Sequence, residues 1–105
     1  MLRSIVAATD FSTRSQRALR RAGQLAQQAD AELTLVHVVD DDYPQSFIEL
    51  ERRESDKFLN EQSSSLAELR GVRYHVVVAM GEAYDAILRT SKNALADLIV
   101  MGSHR

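Results

Sequence analysis

The residues of this chain best suited to chemistry are a carboxylate and several hydroxyls at residues 9–13. The carboxylate of Asp10 can accept hydrogen bonds from a ribose or an adenine amine, although it repels a phosphate placed beside it. Hydroxyls at the start of a helix, such as those of Ser12 and Thr13, can help to hold an anion, because the helix amides and dipole favour negative charge. The same residues can instead cap the helix and turn the chain. A ligand site and a structural turn therefore both stay open.

Arg14 falls in the first turn of the helix predicted after this segment, where a positive charge opposes the helix dipole. We therefore expect Arg14 to have an anionic partner, either Asp10 or a ligand. The arginines that follow it are expected to lie on a solvated face of the helix.

Three consecutive aspartates at residues 40–42 suggest a metal site of oxygen ligands, which Asp10 could complete. A receiver domain with a phosphorylated aspartate would need an acid at the end of the third strand. Residues 78–81 read Val-Ala-Met-Gly and contain no acid. We therefore interpret residues 40–42 as a solvated loop leading to Pro44.

The three histidines do not form a metal-binding or catalytic pattern. His37, His75 and His104 share no i, i+4 spacing, and the first two fall inside predicted strands. His37 is expected to be hydrogen-bonded within the sheet. Ser103 and His104 are adjacent, so their side chains are not arranged as a nucleophile and its base. We expect no metal site and no enzymatic activity.

The elements that must position these residues alternate between strand and helix. Helix starts of the capping-box type are predicted at residues 13–16 and 46–49, and Gly71 is predicted to end the second helix. The strands are predicted at residues 2–8, 33–39, 72–80 and 97–101, and the later helices at 47–70 and 83–93. This alternation predicts an α/β fold with a parallel sheet.

In such sheets, ligands bind at the carboxyl ends of the strands. This rule selects four places: residues 9–10, 38–42, 80–81 and 102–105. Gly81 and Gly102 each follow a buried strand, where glycine allows a tight turn or the close approach of a ligand.

Composition excludes several classes of protein. A chain of 105 residues with 45% hydrophobic and 27% charged residues is expected to form one globular domain. The absence of cysteine excludes disulfides and thiolate metal sites and favours the cytoplasm. A net charge of −2 argues against general nucleic-acid binding. The longest apolar run, residues 76–80, is too short for a membrane span, and the first residues do not resemble a signal peptide.

Taken together, the strand ends resemble the universal stress protein family. The similar segments are residues 8–12, 17–19, 35–39, 81–83 and 96–104, in the right order and spacing. The resemblance implies a Rossmann-like domain with strand order 3-2-1-4 and helices on both faces of the sheet. It also implies a protein of the stress response that is commonly a homodimer.

One branch of this family binds ATP, and the resemblance implies which residues would do so here. Asp10, with Ala8 and Thr9 beside it, corresponds to the aspartate that contacts the adenine–ribose end. Val38 corresponds to the valine that packs near the adenine. Gly102 and Ser103 begin the turn that meets the ribose and phosphates.

The sequence departs from that pattern at Arg105, which stands where the second glycine of the phosphate-binding turn is expected. A large side chain there should obstruct the phosphates, although its guanidinium could pair with phosphate in another pose. We therefore expect weak or absent ATP binding and action through self-association and partner binding. The alternative is a sensor that binds ATP or AMP at the ends of strands 1, 2 and 4.

The family fold normally adds one more helix and strand after the fourth strand. We therefore expect the single domain of residues 1–105 to be incomplete at its C-terminus. Such a chain should expose apolar surface over the fourth strand and associate to cover it.

Overall fold

The computed structural model describes residues 1–102 and contains four strands and three α-helices. A short 3₁₀ helix, Ala67–Leu69, follows the second α-helix. In chain order the elements are β1 (Ser4–Ala8), α1 (Thr13–Ala29), β2 (Glu32–Val39), α2 (Gln45–Ser64), β3 (Tyr74–Met80), α3 (Ala83–Asn93) and β4 (Leu98–Met101).

The four strands form one parallel sheet in the order β3-β2-β1-β4, which confirms the predicted fold class and strand order. The register places Val6 of β1 between Thr34 of β2 and Ile99 of β4. Because side chains alternate along each strand, this row points to one face of the sheet and the neighbouring rows point to the other. Because the strands are parallel, the carboxyl ends of β1, β2 and β4 meet at one edge of the sheet.

Helices cover the two faces unequally. Leu19 of α1 and Leu59 of α2 pack with Leu33 and Leu35 on one face, and all four side chains are fully buried. On the opposite face Ile87 of α3 packs with Val6 and Val36 in a smaller cluster. Removing this apolar surface from water supplies most of the driving force for the fold.

The N-cap residue of the first helix is Ser12, one residue before the predicted cap. Ser12 has extended backbone angles, and its side chain accepts a hydrogen bond from the amide of Ser15. The predicted capping box starting at Thr13 is therefore wrong, because Thr13 already lies inside the helix. Phe11 has a φ of 68° and turns the chain so that Ser12 reaches the cap position.

The second helix also departs from the prediction at both ends. It begins at Gln45 directly after Pro44, whose carbonyl accepts from the amides of Phe47 and Ile48, so no capping box forms at Ser46. It ends at Ser64, well before Gly71. The hydroxyls of serines 63–65 bond back to carbonyls of the last turns, and those of Ser64 and Ser65 bond to carbonyls that a longer helix would pair with amides.

Asp97 joins β4 to β1 at the edge of the sheet opposite the predicted ligand sites. One oxygen of its carboxylate, Oδ2, accepts hydrogen bonds from the amides of Arg3 (2.8 Å) and Ser4 (3.0 Å). These bonds lower the pKa of Asp97 below its ordinary value, and the bond from Arg3 has the larger effect. They also make Asp97 a cap on the sheet rather than the first residue of β4, which begins at Leu98.

We expect the folded chain to lose stability in acid partly through Asp97. Because its folded-state pKa is lowered, its contribution is present above the unfolded-state pKa and is lost as the pH falls through the folded-state value. Asp97→Asn should therefore lower the Tm at pH 7 and flatten the Tm-against-pH curve in acid. Thermal unfolding from pH 2 to pH 7 tests this expectation. The control is Asp41→Asn, an exposed residue; an equal flattening by both variants would contradict it.

Within residues 1–102, no helix is long and apolar enough to cross a membrane.

Candidate functional site

A cleft of about 540 Å³ opens where β1, β2 and β4 end, beside the first turn of α1. Fourteen residues line it, from the three strands, the β1–α1 turn, α1, α3 and the position after β4: Ala8, Thr9, Asp10, Ser12, Thr13, Arg14, Ser15, Val36, His37, Val38, Ala83, Ile87, Met101 and Gly102. The volume falls in the range of small-molecule sites. Apolar strand residues and Ile87 meet the hydroxyls and the carboxylate of the β1–α1 turn here, so the cleft has an apolar part and a polar part.

The turn between β1 and α1 is held by its own side chains. The Thr9 hydroxyl accepts from the amide of Phe11 (3.0 Å), and the Ser15 hydroxyl accepts from the amide of Asp10 (3.2 Å). Phe11 itself adopts left-handed backbone angles, which cost about 1–2 kcal/mol for an L-residue other than glycine. The turn is thus a fixed conformation whose strain is offset by the surrounding contacts.

Asp10 is the charged centre of the turn. Its Oδ1 accepts from the amide of Ser12 (2.9 Å) and from the hydroxyl of Ser15. Hydrogen bonds hold the pKa of Asp10 well below its usual range. The Ser12 hydroxyl has the largest effect, followed by the Ser15 hydroxyl and the Ser12 amide. Oδ2 makes no hydrogen bond to the other described residues, and Asp10 is exposed. An ionised carboxylate with a free oxygen can only accept hydrogen bonds, so it favours hydroxyl or amine groups and repels phosphate.

Arg14 does not pair with Asp10. Among residues 1–102 no carboxylate lies within 4.0 Å of the Arg14 guanidinium, and the side-chain partners of Asp10 are serines. The prediction that Asp10 balances Arg14 is therefore wrong. The physical reason is that the short hydroxyls of Ser12 and Ser15 satisfy Asp10 from within the same turn. A ligand as the partner of Arg14 stays a prediction.

Gly102 closes the cleft by direct contact with α1. A Cβ at this position would lie 3.0 Å from the amide nitrogen of Ser15 and 3.1 Å from the carbonyl carbon of Arg14. Both atoms belong to the backbone of the first helical turn. The missing side chain of Gly102 therefore allows the end of β4 to lie against the start of α1.

His37 contributes in a way that the sequence only partly indicates. Its Nδ1 lies 2.8 Å from the carbonyl oxygen of Thr9, the residue that follows β1. Because a carbonyl only accepts, Nδ1 is the protonated ring nitrogen and donates this hydrogen bond. The imidazole is stacked on the ring of Phe11, with centroids 4.0 Å apart. The expected hydrogen bond of His37 is thus present, whereas the stacking on Phe11 was not predicted.

The aspartates at residues 40–42 lie outside this cleft. With Gly81, Glu82 and two residues that also line the cleft, Val38 and Ala83, they line an adjoining depression of about 480 Å³. Across the described part of the chain, no group of three or more His, Cys, Asp or Glu side chains is arranged to hold a metal ion. Of the residues predicted at the end of the third strand, Gly81 therefore lies with residues 40–42 rather than with Asp10.

The main cleft brings together five of the residues predicted for a nucleotide site: Ala8, Thr9, Asp10, Val38 and Gly102. Ser103 and Arg105 lie outside the described residues. Sequence reasoning missed Val36, Ser15 and Ile87 as part of the lining. A period of two from Val38 could have indicated Val36, and the spacing from Ser12 could have indicated Ser15.

Comparison with known proteins gives a consistent result. The Universal stress protein family matches residues 1–105. A solved structure of a universal stress protein family member from Burkholderia pseudomallei is 30% identical, with a TM-score of 0.81, and the match covers 96% of this chain and 81% of that one. UspA from Lactobacillus plantarum has the same fold at 22% identity, with a TM-score of 0.82 and coverage of 98% and 80%.

A universal stress protein solved in complex with cAMP is 26% identical to this chain. Its TM-score is 0.66, and the match covers 93% of this chain and 70% of that protein. No curated protein matches the chain.

Proposed function

The chain belongs to the universal stress protein family, and we propose that its main cleft binds the nucleoside part of an adenine nucleotide without catalysing a reaction on it. The observation that carries this proposal is the position of the Asp10 carboxylate, which lines the same cleft as Val38 at the ends of β1 and β2. A purine could pack on the apolar strand residues while its ribose donates to Asp10.

The charges of the cleft favour the nucleoside end over the phosphates. The Asp10 oxygen that has no partner among residues 1–102 can accept hydrogen bonds from hydroxyls, whereas a phosphate at the same point would be repelled. The relative that was solved with cAMP supports an adenine nucleotide as the class of ligand. Because the proposed contacts lie on the nucleoside, adenosine, AMP and cAMP should bind with similar affinity, and the additional phosphates of ATP should add little.

Calorimetric titration of the protein with adenosine, AMP, cAMP, ATP and GMP tests the proposal. We expect saturable heats from the adenine compounds, affinities within about 10-fold of one another and weaker binding of GMP. No heat with any adenine compound, or an equal affinity for GMP, would contradict it.

A second role, self-association, is favoured by apolar side chains on β4. Ile99 is 37% exposed and Met101 51% exposed, on the face of the sheet that α3 covers only in part. The backbone of β4 pairs with β1 on one side, and no described strand pairs with its other side. Such an apolar edge strand favours pairing with a second copy of the chain. On this proposal the domain acts in the stress response through self-association as well as through its ligand.

We expect Ile99→Lys to shift the protein from dimer to monomer, because a charge at this edge opposes pairing. Light scattering over a range of protein concentrations measures the shift. Leu50→Lys is the matched control, since it places the same charge on an exposed leucine of α2. A wild-type monomer at high concentration, or equal dissociation by both variants, would contradict the proposal.

A further inference from the structure

We propose that His37 is a positioning residue of the main cleft, which fixes the turn carrying Asp10 by holding the residues on either side of it. The part of this inference that concerns ligand affinity rests on the proposed function. The part that concerns the turn does not, since it follows from contacts within the chain.

The first contact is a hydrogen bond from β2 to the end of β1. His37 Nδ1 donates to the carbonyl oxygen of Thr9 at 2.8 Å, and Thr9 directly precedes Asp10. The Thr9 amide is bonded in turn to the carbonyl of Val36 (2.9 Å). Thr9 is therefore held at both its amide and its carbonyl by neighbouring residues of β2. The carbonyl bond depends on one side chain.

The second contact is with the residue on the other side of Asp10. The imidazole stacks on the ring of Phe11 at 4.0 Å with an angle of 22° between the planes. Phe58 of α2 meets the same ring edge-on at 4.8 Å. The ring of Phe11 is thus held between β2 and α2.

Phe11 needs such support because its φ of 68° is unfavourable for an aromatic residue. Conformations of this kind persist where the surroundings determine them, and they are found at functional sites. The left-handed turn at Phe11 is what brings the amide of Ser12 to Oδ1 of Asp10. Contacts that hold Phe11 therefore hold the carboxylate as well.

These contacts converge on Asp10 although none of them involves it. With Thr9 fixed by the imidazole nitrogen and Phe11 by the imidazole plane, the direction of the Asp10 side chain is set by His37. Loss of the hydrogen bond should let the turn relax, weaken the bonds from Ser12 and Ser15 to the carboxylate and return Asp10 toward ordinary behaviour.

Two substitutions separate the hydrogen bond from the packing. His37→Leu removes the donor and keeps an apolar side chain against Phe11, whereas His37→Asn keeps an N–H donor near the position of Nδ1. Val39→Ala is the control for general loss of stability, because Val39 lies on the same face of β2, is buried and does not line the cleft.

The primary measurement is the pKa of the Asp10 carboxyl in the protein without ligand, followed by carbon-13 NMR. His37→Leu should raise it toward the ordinary value, because the hydrogen bonds that favour the charged form are weakened. His37→Asn and Val39→Ala should leave it low. An unchanged pKa in His37→Leu, an equal rise in Val39→Ala, or an asparagine variant indistinguishable from the leucine variant would overturn the inference.

The affinity for AMP distinguishes this inference from the proposed function. His37→Leu should weaken binding about 10-fold, which corresponds to the loss of roughly one ordered hydrogen bond, and His37→Asn should restore most of it. If the pKa of Asp10 responds as expected but the wild-type protein does not bind AMP, the proposed function fails and the positioning role stands. If AMP binds but the pKa does not respond, the positioning role alone is overturned.

Discussion

Replacing Asp10 with alanine is expected to weaken AMP binding by about 10- to 100-fold, the effect of losing one hydrogen bond to a charged group. One carboxylate oxygen accepts hydrogen bonds from Ser12 and Ser15, and the other has no hydrogen-bond partner in the part of the chain that the structure describes. Because those bonds hold its pKa far below its usual range, Asp10 stays ionised at neutral and mildly acidic pH. Titration calorimetry should therefore show the same loss of affinity at pH 5 and pH 8.

The asparagine variant separates the charge from the shape of the turn. Asp10→Asn retains an oxygen for the amide of Ser12 and loses the negative charge, so it should bind AMP at an affinity between those of the wild type and the alanine variant. Asp42→Ala is the charge-matched control, because Asp42 is exposed and lines the adjoining depression but not the cleft itself. Unchanged affinity in Asp10→Ala would place the ligand elsewhere, and an equal loss in Asp42→Ala would point to net charge alone.

Adding a single methyl group at Gly102 is expected to reduce both stability and binding. A Cβ there would lie 3.0 Å from the Ser15 amide nitrogen and 3.2 Å from the Arg14 carbonyl oxygen, and backbone atoms of a helix cannot move independently. The start of α1 must therefore shift by a few tenths of an ångström and carry the Asp10 turn with it. We expect Gly102→Ala to lower the unfolding free energy by about 1–3 kcal/mol, as overpacking does. The affinity for AMP should fall as well.

Gly71→Ala provides the contrast. Gly71 has a φ of 77°, and a Cβ at this position would meet no other atom within 4 Å, so alanine there strains the backbone without a collision. It lies before β3, at the edge of the sheet opposite the cleft. The variant should lose stability and retain AMP affinity, as measured by denaturant unfolding and calorimetry. Equal affinity losses in the two variants would show that binding follows stability rather than the packing of β4 on α1.

Much of the fold could be predicted because strand and helix patterns alternate without a break. The third helix was predicted at residues 83–93, the same bounds that α3 has, and the strand order was predicted correctly. The errors lie where side chains compete for backbone groups. Serines 63–65 end α2 early, and Ser12 rather than Thr13 caps α1. Such local hydrogen bonds depend on backbone angles that a hydrophobic pattern does not specify.

The position of the candidate site could be predicted from the sequence, whereas the side-chain contacts that hold it could not. Parallel strands bring their carboxyl ends together, which is why Asp10, Val38 and Gly102 meet in one cleft. The stacking of His37 on Phe11 joins residues that are far apart in sequence, through an unusual φ. No periodicity in the sequence indicates that contact.

The most direct test is an NMR titration of the isotope-labelled protein with AMP, following the backbone amides. If the cleft holds the nucleoside through Asp10, the amides of Thr9, Asp10, Val38 and Gly102 should shift together and saturate with one dissociation constant. Those of residues 40–42 should move little, and Asp10→Ala should raise the dissociation constant obtained from the same amides by about 10- to 100-fold. Shifts confined to residues 40–42, 81 and 82, or no saturable shift at the ends of β1, β2 and β4, would contradict the account.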